Sequence, residues 1–215
     1  PQATMQTKLL AQRLGVDLKN VSGSGEMGVI TALDVERAHQ HSSLPQHQGH
    51  VEPLKGVRRQ MAIAMQQSHQ QVVPVTIYDD ADITHWQFPC DITVKLIQAI
   101  CQATQKEPSL NAWFQHQERV LFDDVMLGLA MDSKDGLFVP VIEKAQTLSA
   151  DALRQEINVL KLGVAERSLA PERFQNATIT LSNFGKFAGK YASPIIVPPM
   201  VAILATGRLF KTPKL

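Results

Sequence analysis

The residues best placed to do chemistry lie near the end of the chain, where Ser182 and Asn183 close a run of alternating side chains. Residues 178–182 alternate hydroxyl and aliphatic side chains, which is typical of a β-strand with two different faces. Gly185 and Gly189 follow, and glycine lets a substrate approach the backbone closely. The hydroxyl of Ser182 at this position can therefore be offered to a substrate. The same residue types also suit a polar strand end that caps a turn, and the residues alone leave both interpretations open.

The cysteine and histidine residues do not form a pattern that predicts a metal site. Cys101 lies within a helical pattern, which favours a packing role. His85 lies near Cys90, but a break between elements separates them and nothing orients the imidazole, so a Cys–His nucleophile is the weaker interpretation. Three further histidines lie in a polar segment without a cysteine or carboxylate cluster: His41, His47 and His50. The sequence therefore predicts no metal.

The overall composition excludes several classes of function. The chain has 215 residues and a formal net charge of +1, with dispersed lysines and arginines, which predicts no nucleic-acid partner. No apolar run approaches the roughly 18 residues of a membrane span, so we expect no membrane association. Two cysteines without a signal sequence favour a reducing, cytoplasmic location. Because the sequence begins with Pro1, we expect it to be a piece of a longer protein.

The first segment, residues 1–39, has the pattern of a small helical domain. Its apolar spacing predicts a helix over residues 4–14. Thr31, with Asp34 three residues later, predicts a capping box for a second helix that ends near His39. So small a unit has few residues to bury, and we expect it to be marginally stable alone.

The remainder divides by composition into residues 40–52 and residues 53–215. The segment 40–52 is rich in Gln, His, Ser, Gly and Pro, which predicts a linker. The segment 53–215 carries helical patterns over 57–68, 92–106 and 149–167, and strand-like or extended runs over 72–83, 119–122, 125–131, 137–142, 177–183, 194–197 and 200–206. Because these do not alternate strictly as βαβ units, they predict an α/β (α+β) domain with a mixed sheet and packed helices.

The order of these segments resembles two domains of one family, the dihydrolipoamide acyltransferase components of 2-oxo acid dehydrogenase complexes. The segment 1–39 resembles the family's peripheral subunit-binding domain, and the segment 53–215 resembles its catalytic domain without the C-terminal part. The resemblance rests on residues 14–18, 21–25 and 28–35 in the first segment, and on residues 54–62, 107–113, 136–142, 180–185, 194–199 and 202–203 in the second.

The resemblance implies a fold and a reaction. The fold is expected to be similar to that of chloramphenicol acetyltransferase, assembled as trimers that build a larger core. The expected reaction moves an acyl group from a dihydrolipoyl arm to coenzyme A. By the resemblance, Ser182 donates a hydrogen bond to the tetrahedral oxyanion, and Arg58 and Asn183 contact coenzyme A. For Arg58, the alternative of a solvated helix arginine is equally open.

The sequence departs from the family at the catalytic base. The family uses a histidine in an HxxxDG motif to remove the thiol proton of coenzyme A, and this sequence contains no such motif. The last histidine is His116, well before Ser182. We therefore expect this chain alone to be inactive, with the motif beyond Leu215 in a parent protein. We also expect the lipoyl group to be carried on a domain upstream of Pro1.

A second departure concerns the binding domain, where the family has a basic cluster that grips a partner dehydrogenase. Here Lys8 stands near the first basic position, Arg13 follows in the same predicted helix, and Val29 replaces an arginine of the turn. Lysine pairs less well than arginine with a carboxylate. The resemblance therefore implies dehydrogenase components as partners, contacted through Lys8 and Arg13, with weaker or different selectivity.

Three functions remain open on the sequence. The first is an acyltransferase component or a fragment of one. The second is a non-catalytic scaffold of the same complex, because the histidine motif is absent. The third is a free small-molecule acetyltransferase, which the attached binding domain disfavours.

Asn111 and Trp113 suit a substrate channel, a core or a trimer interface. Residues 191–199 are slightly more similar to branched-chain members of the family than to pyruvate members.

Overall fold

A computed structural model describes residues 2–25, 28–42, 52–187 and 189–212, with only the backbone of residues 40–42. The chain divides into two compact units, residues 1–53 and residues 54–215. Most of the predicted linker, residues 43–51, lies outside the described residues. The boundaries 1–39, 40–52 and 53–215 therefore stay predictions.

The first unit contains two helices, α1 (Met5–Leu14) and α2 (Ala32–Ser42), joined through a short 3₁₀ turn (Leu18–Asn20). Both predicted helices are confirmed. The side chain of Thr4 accepts a hydrogen bond from the backbone of α1, and a left-handed glycine ends the helix. The buried core of this unit is small and consists of Ala11, Ile30 and Val35.

Asp34 ties the loop before α2 to the start of that helix. Its Oδ2 accepts hydrogen bonds from the backbone N–H of Ser24 (2.9 Å) and of Thr31 (3.0 Å). In return, the N–H of Asp34 donates to Thr31 Oγ1 at 3.3 Å, which confirms the predicted capping box. The backbone donors, Ser24 first, hold the pKa of Asp34 well below its usual range.

The second unit contains three long helices, α3 (Gly56–Gln71), α4 (Ile92–Lys106) and α5 (Ala150–Glu166). All three were predicted from apolar periodicity. Asp91 caps α4 by accepting from the N–H of Val94, and Ser149 caps α5 by accepting from the N–H of Ala152, as the sequence predicted for Ser149. Arg167 adopts a left-handed conformation that ends α5.

Eight short strands complete the described part of the second unit. They are β1 (Ala112–Gln115), β2 (Glu118–Leu121), β3 (Leu127–Leu129), β4 (Met131–Ser133), β5 (Gly136–Phe138), β6 (Val141–Ile142), β7 (Ile179–Asn183) and β8 (Ile203–Thr206). The main sheet has the order β6-β3-β7-β8, in which β3, β7 and β8 run parallel and β6 runs antiparallel to β3. The pairs β1–β2 and β4–β5 form two antiparallel hairpins.

The hydrophobic core lies between the main sheet and two helices. It joins side chains of α4 and α5 to side chains of β3, β6 and β7, including Ile97, Leu127, Ile142, Leu153, Ile157, Leu160 and Leu181. This arrangement confirms the predicted mixed α/β class.

Several predicted strands differ in extent from the observed ones. The run 125–131 is divided between β3 and β4, and the run 137–142 is divided between β5 and β6. Residues 194–197 form no strand, because Pro194 and the following Pro198 lack the N–H that a ladder requires. Residues 72–83 are neither helix nor strand.

Candidate functional site

Ser182 lies near the carboxyl end of β7, where Ala205 of the neighbouring parallel strand is its register partner. The predicted strand is confirmed, and Ile179 and Leu181 belong to the hydrophobic core. Thr180 between them is also buried, so the alternation is one of side-chain type and not of exposure. Ser182 is half-buried. The strand therefore holds the serine at the edge of the core rather than within it.

The hydroxyl side chains along β7 differ in their partners. Thr178, which directly precedes the strand, donates a hydrogen bond of 2.5 Å to Asn111 Oδ1. Thr180 lies with its Oγ1 3.3 Å from the sulfur of Met200. The side chain of Ser182 forms no hydrogen bond with any residue that the structure describes. Within the described part of the chain, the hydroxyl of Ser182 thus differs from those of Thr178 and Thr180 in having no partner.

Asn111 and Trp113 have structural partners. Asn111 is buried, and its Nδ2 donates to the carbonyls of Phe122 (2.7 Å) and Asp124 (3.0 Å). The indole nitrogen of Trp113 donates to the carbonyl of Ala177 at 2.7 Å, directly before β7. These bonds support the core interpretation of both residues over the substrate-channel one.

The pairing with β8 continues through Asn183 and Phe184, and the chain then enters a turn. Asn183 Oδ1 accepts from the N–H of Gly185 at 3.3 Å, and the N–H of Phe184 donates to the carbonyl of Thr206 at 3.0 Å. The carboxamide nitrogen of Asn183 has no hydrogen-bond partner among the described residues. The hydroxyl of Thr206, the register partner of Asn183, is buried and also lacks a partner in the described ranges.

Arg58 lies on α3 and is exposed. Within the described residues it forms no ion pair or hydrogen bond, and no such contact joins it to Ser182 or Asn183. The helix that carries it is connected to the later part of the unit by Ser68, whose hydroxyl donates to the carbonyl of Ile196 at 2.6 Å. The structure thus leaves the guanidinium of Arg58 accessible to an anion.

Lys8 and Arg13 are both exposed on α1 of the first unit. Arg13 lies beside a shallow surface depression whose other lining residues are Leu10, Leu14, Glu36 and His39. Lys8 does not line this depression. Because five residues of an α-helix span about 140° of rotation, the two cations point to different parts of the helix surface.

A cluster around Lys190 was not predicted from the sequence. Its Nζ lies 2.6 Å from Asp80 Oδ2 and 4.4 Å from the ring centre of Phe210. The hydrogen bond that Lys190 donates to Asp80 is the main cause that raises the pKa of Lys190. Tyr78 is hydrogen-bonded to Ser193 near the same point. No sequence pattern reveals these contacts, because the paired residues lie more than a hundred positions apart in the chain.

The described residues hold no group of three or more His, Cys, Asp or Glu side chains that could bind a metal ion. Across the same ranges, no helix combines the length and apolarity required to cross a membrane.

Cys101 is buried, and burial raises the pKa of its thiol to about 11. The thiol therefore stays protonated, which supports its packing role.

Two family descriptions match this chain. Residues 46–215 match the 2-oxoacid dehydrogenases acyltransferase (catalytic domain) family, and residues 7–36 match the e3 binding domain. A relative from Bacillus subtilis, the dihydrolipoyllysine-residue acetyltransferase component of an acetoin cleaving system, is 30% identical over 95% of this chain and 56% of its own length. The lipoamide acyltransferase component of the Arabidopsis thaliana branched-chain alpha-keto acid dehydrogenase complex is 30% identical over 99% of this chain and 52% of its own length. The chain spans about half the length of the curated relatives it matches.

Solved structures agree with these matches. A truncated catalytic core of the 2-oxoacid dehydrogenase multienzyme complex from Thermoplasma acidophilum has a TM-score of 0.70 at 26% identity, over 76% of this chain and 82% of that one. The dihydrolipoamide acetyltransferase of Azotobacter vinelandii, studied for the roles of a serine, a histidine and an asparagine in its mechanism, has a TM-score of 0.72 at 25% identity, over 77% and 76%. Since the family match spans residues 46–215 and the fold agrees, the resemblance noted in the sequence is confirmed, and the chain belongs to the acyltransferase catalytic-domain family of the 2-oxoacid dehydrogenases.

Proposed function

We propose that this chain transfers an acyl group from a dihydrolipoyl group to coenzyme A as part of a 2-oxo acid dehydrogenase complex. The family match and the names of the relatives support the acyl transfer. The observation that carries the proposal is the position of Ser182, whose hydroxyl is without a partner among the described residues at the end of a strand fixed in the sheet. The family supports the acyl transfer. The role of the serine is carried over from the family resemblance, and the accessible hydroxyl is consistent with it.

Ser182 acts in this proposal as the oxyanion donor. Coenzyme A supplies the attacking thiol and the dihydrolipoyl group supplies the thioester, so both are substrates. As the carbon–sulfur bond forms, the carbonyl oxygen gains negative charge, and the hydroxyl of Ser182 donates a hydrogen bond to it. The donor is released when the bond between the acyl carbon and the dihydrolipoyl sulfur breaks, and the leaving dihydrolipoyl thiolate takes up a proton. Such a donor typically contributes about 3 kcal/mol to the transition state.

We assign coenzyme A contacts to Arg58 and Asn183. The exposed guanidinium of Arg58 suits a phosphate group, and the carboxamide nitrogen of Asn183 is unpartnered in the described part of the chain, next to Ser182. No base is assigned, because the sequence holds no HxxxDG motif. We propose that the thiol proton is removed by a histidine outside these 215 residues.

The first unit is proposed to bind the dehydrogenase components of the complex through Lys8 and Arg13. Its match to the e3 binding domain supports this role. The second unit is proposed to assemble with copies of itself into a trimer-based core, because its structural neighbours include the cubic core of the pyruvate dehydrogenase multienzyme complex. The proposed location of the assembly is the cytoplasm.

A non-catalytic scaffold is the second candidate. The observation that favours it is the absence of the HxxxDG motif from this sequence. In that case the binding domain and the core would assemble the complex, and other chains would carry out acyl transfer.

The test is acyl transfer by the full-length gene product, from S-acetyl-dihydrolipoamide to coenzyme A. We expect Ser182→Ala to lower kcat by about 100- to 1,000-fold with little change in KM, since the donor acts mainly in the transition state. Ser168→Ala, an exposed serine after α5, is the matched control and should retain full activity. Full activity of Ser182→Ala would refute the oxyanion role, and an inactive unsubstituted protein would favour the scaffold.

A further inference from the structure

The turn after Ser182 crosses the segment after β8 at a distance that only glycine allows. A Cβ atom added to Gly207 would lie 2.3 Å from the carbonyl oxygen of Lys190 and 3.1 Å from that of Gly189. A Cβ atom added to Gly185 would lie 2.5 Å from the carbonyl oxygen of Gly207. Such contacts are with backbone atoms, so no side-chain rotation relieves them. We call this contact of Gly185, Gly207 and Lys190 the glycine crossing.

Hydrogen bonds hold the two segments together on both sides of the glycine crossing. The N–H of Phe184 donates to the carbonyl of Thr206 at 3.0 Å. The N–H of Arg208 donates to the carbonyl of Gly189 at 3.2 Å. The turn itself is closed by the N–H of Phe187, which donates to the carbonyl of Phe184 at 2.9 Å. The backbone is therefore fixed at both ends of the turn, beginning two residues after Ser182.

We propose that Gly185 and Gly207 are positioning residues for Ser182. By allowing the turn to close on the end of β8, they fix the last residues of β7 and with them the direction of the Ser182 hydroxyl. This inference rests on the proposed acyl transfer. A displacement of a catalytic group by about 1 Å can lower the reaction rate about 100-fold. Because the glycine crossing has no room for a methyl group, adding one should displace the Ser182 hydroxyl and lower the rate.

The chain supplies a matched control in the same turn. Gly189 has no atom within 4 Å of the position that its Cβ would occupy. Gly189→Ala therefore adds a methyl group to the turn without opening the glycine crossing. Gly207→Ala adds the same methyl group and forces the backbones apart.

The first measurement is steady-state acyl transfer by the full-length gene product. We expect Gly207→Ala and Gly185→Ala each to lower kcat by about 10- to 100-fold while KM for coenzyme A changes less than about threefold. Gly189→Ala should retain the kcat of the unsubstituted protein. A Gly207→Ala variant with an unchanged kcat would overturn the proposal.

The second measurement is amide hydrogen exchange, which does not depend on activity. In Gly207→Ala, the N–H groups of Phe184 and Arg208 should exchange faster, whereas those of α4 and α5 should be unchanged. Unchanged exchange at the N–H groups of Phe184 and Arg208 would overturn a local positioning role. A loss of protection across the whole protein in both Gly207→Ala and Gly185→Ala would also overturn it. If the unsubstituted protein shows no acyl transfer, both the proposed function and the catalytic part of this inference fail. The amide hydrogen exchange measurement then decides by itself whether the glycine crossing fixes the turn.

Discussion

The hydroxyl of Thr178 donates a hydrogen bond of 2.5 Å to the carboxamide oxygen of Asn111, and the two residues lie 67 positions apart in the sequence. Both side chains are buried, each with 1% of its surface exposed. Thr178 also accepts from the N–H of Met126 at 3.1 Å, so it connects three segments of the second unit. This network fixes the start of β7, the strand that carries Ser182.

Loss of the Asn111 side chain should destabilise the second unit. Asn111→Ala leaves the carbonyls of Phe122 and Asp124 and the hydroxyl of Thr178 without their partner. A buried polar group without a partner costs about 1–3 kcal/mol. Because the structure around the missing side chain relaxes and recovers part of this cost, we expect the free energy of unfolding to fall by about 3 kcal/mol in total. Urea denaturation, monitored by circular dichroism, measures this free energy of unfolding. The control is Gln102→Ala on the exposed surface of α4, and a similar loss in both variants would contradict the role of the network.

The ion pair between Asp91 and Arg154 should make stability depend on pH. Arg154 contacts the carboxylate of Asp91, which also caps α4, and this hydrogen bond is the main cause that lowers the pKa of Asp91. A carboxyl group whose folded pKa is lowered stabilises the fold above its unfolded pKa, near 4, and loses that contribution as the pH falls through the folded pKa.

Asp91→Asn isolates this contribution, because asparagine remains a good helix cap but has no charge. We expect the variant to be less stable than the parent by about 1 kcal/mol at pH 6, a value reduced by the partial exposure of the pair, and we expect this difference to be smaller at pH 2. Denaturation at both pH values measures the difference. Asp132→Asn, which removes an exposed carboxylate without an ion pair in the described residues, should show no such change. A difference that persists unchanged at pH 2 would exclude the ion pair as its source.

Much of the fold was readable from local patterns in the sequence. Helix caps are local, so Thr31 and Ser149 marked the starts of α2 and α5 from sequence alone. The alternation of β7 likewise placed Ser182 at a strand end. The divided strands were less readable, because a short apolar run does not show where one ladder stops and the next begins.

The contacts that fix the candidate site were not readable. The bond between Asn111 and Thr178, the ion pair of Lys190 with Asp80, and the contact of Gly185 with Gly207 all join segments distant in sequence. Single-sequence periodicity reports which face of an element is buried, but not which distant residue covers it. The proposed role of Ser182 came from the family resemblance, and the structure added that its hydroxyl has no partner among the described residues.

The two cysteines should react at very different rates. Cys101 is buried and its pKa is raised to about 11, whereas Cys90 is half-buried. Since the thiolate is the reactive form, we expect about one thiol per chain to react rapidly with Ellman's reagent at pH 8 and the second to react only after unfolding. Cys90→Ser should abolish the rapid phase. Equal rates for both thiols in the folded protein would show that the helix packing around Cys101 is open.

Binding of the dehydrogenase component should depend on the two cations of α1. Lys8 and Arg13 are exposed, so they gain a carboxylate partner only at an interface. Because charges at the rim of an interface act mainly through attraction that salt screens, we expect Lys8→Ala and Arg13→Ala each to weaken binding about three- to tenfold at low ionic strength and less at 0.5 M salt. Isothermal titration calorimetry with the dehydrogenase components of the same organism measures this.

Lys19→Ala is the matched control, since Lys19 is an exposed cation on the 3₁₀ turn of the same unit. An equal loss in Lys19→Ala would show that only net charge matters. A loss confined to Arg13→Ala would instead place the contact at the depression beside Leu10, Leu14, Glu36 and His39, which Lys8 does not line.

The two cations point about 140° apart around the helix. A rigid partner that needs both must therefore wrap the end of α1 rather than dock on one face. Double-mutant cycles between each cation and the partner's carboxylates distinguish these geometries, because only a direct pair gives a coupling energy.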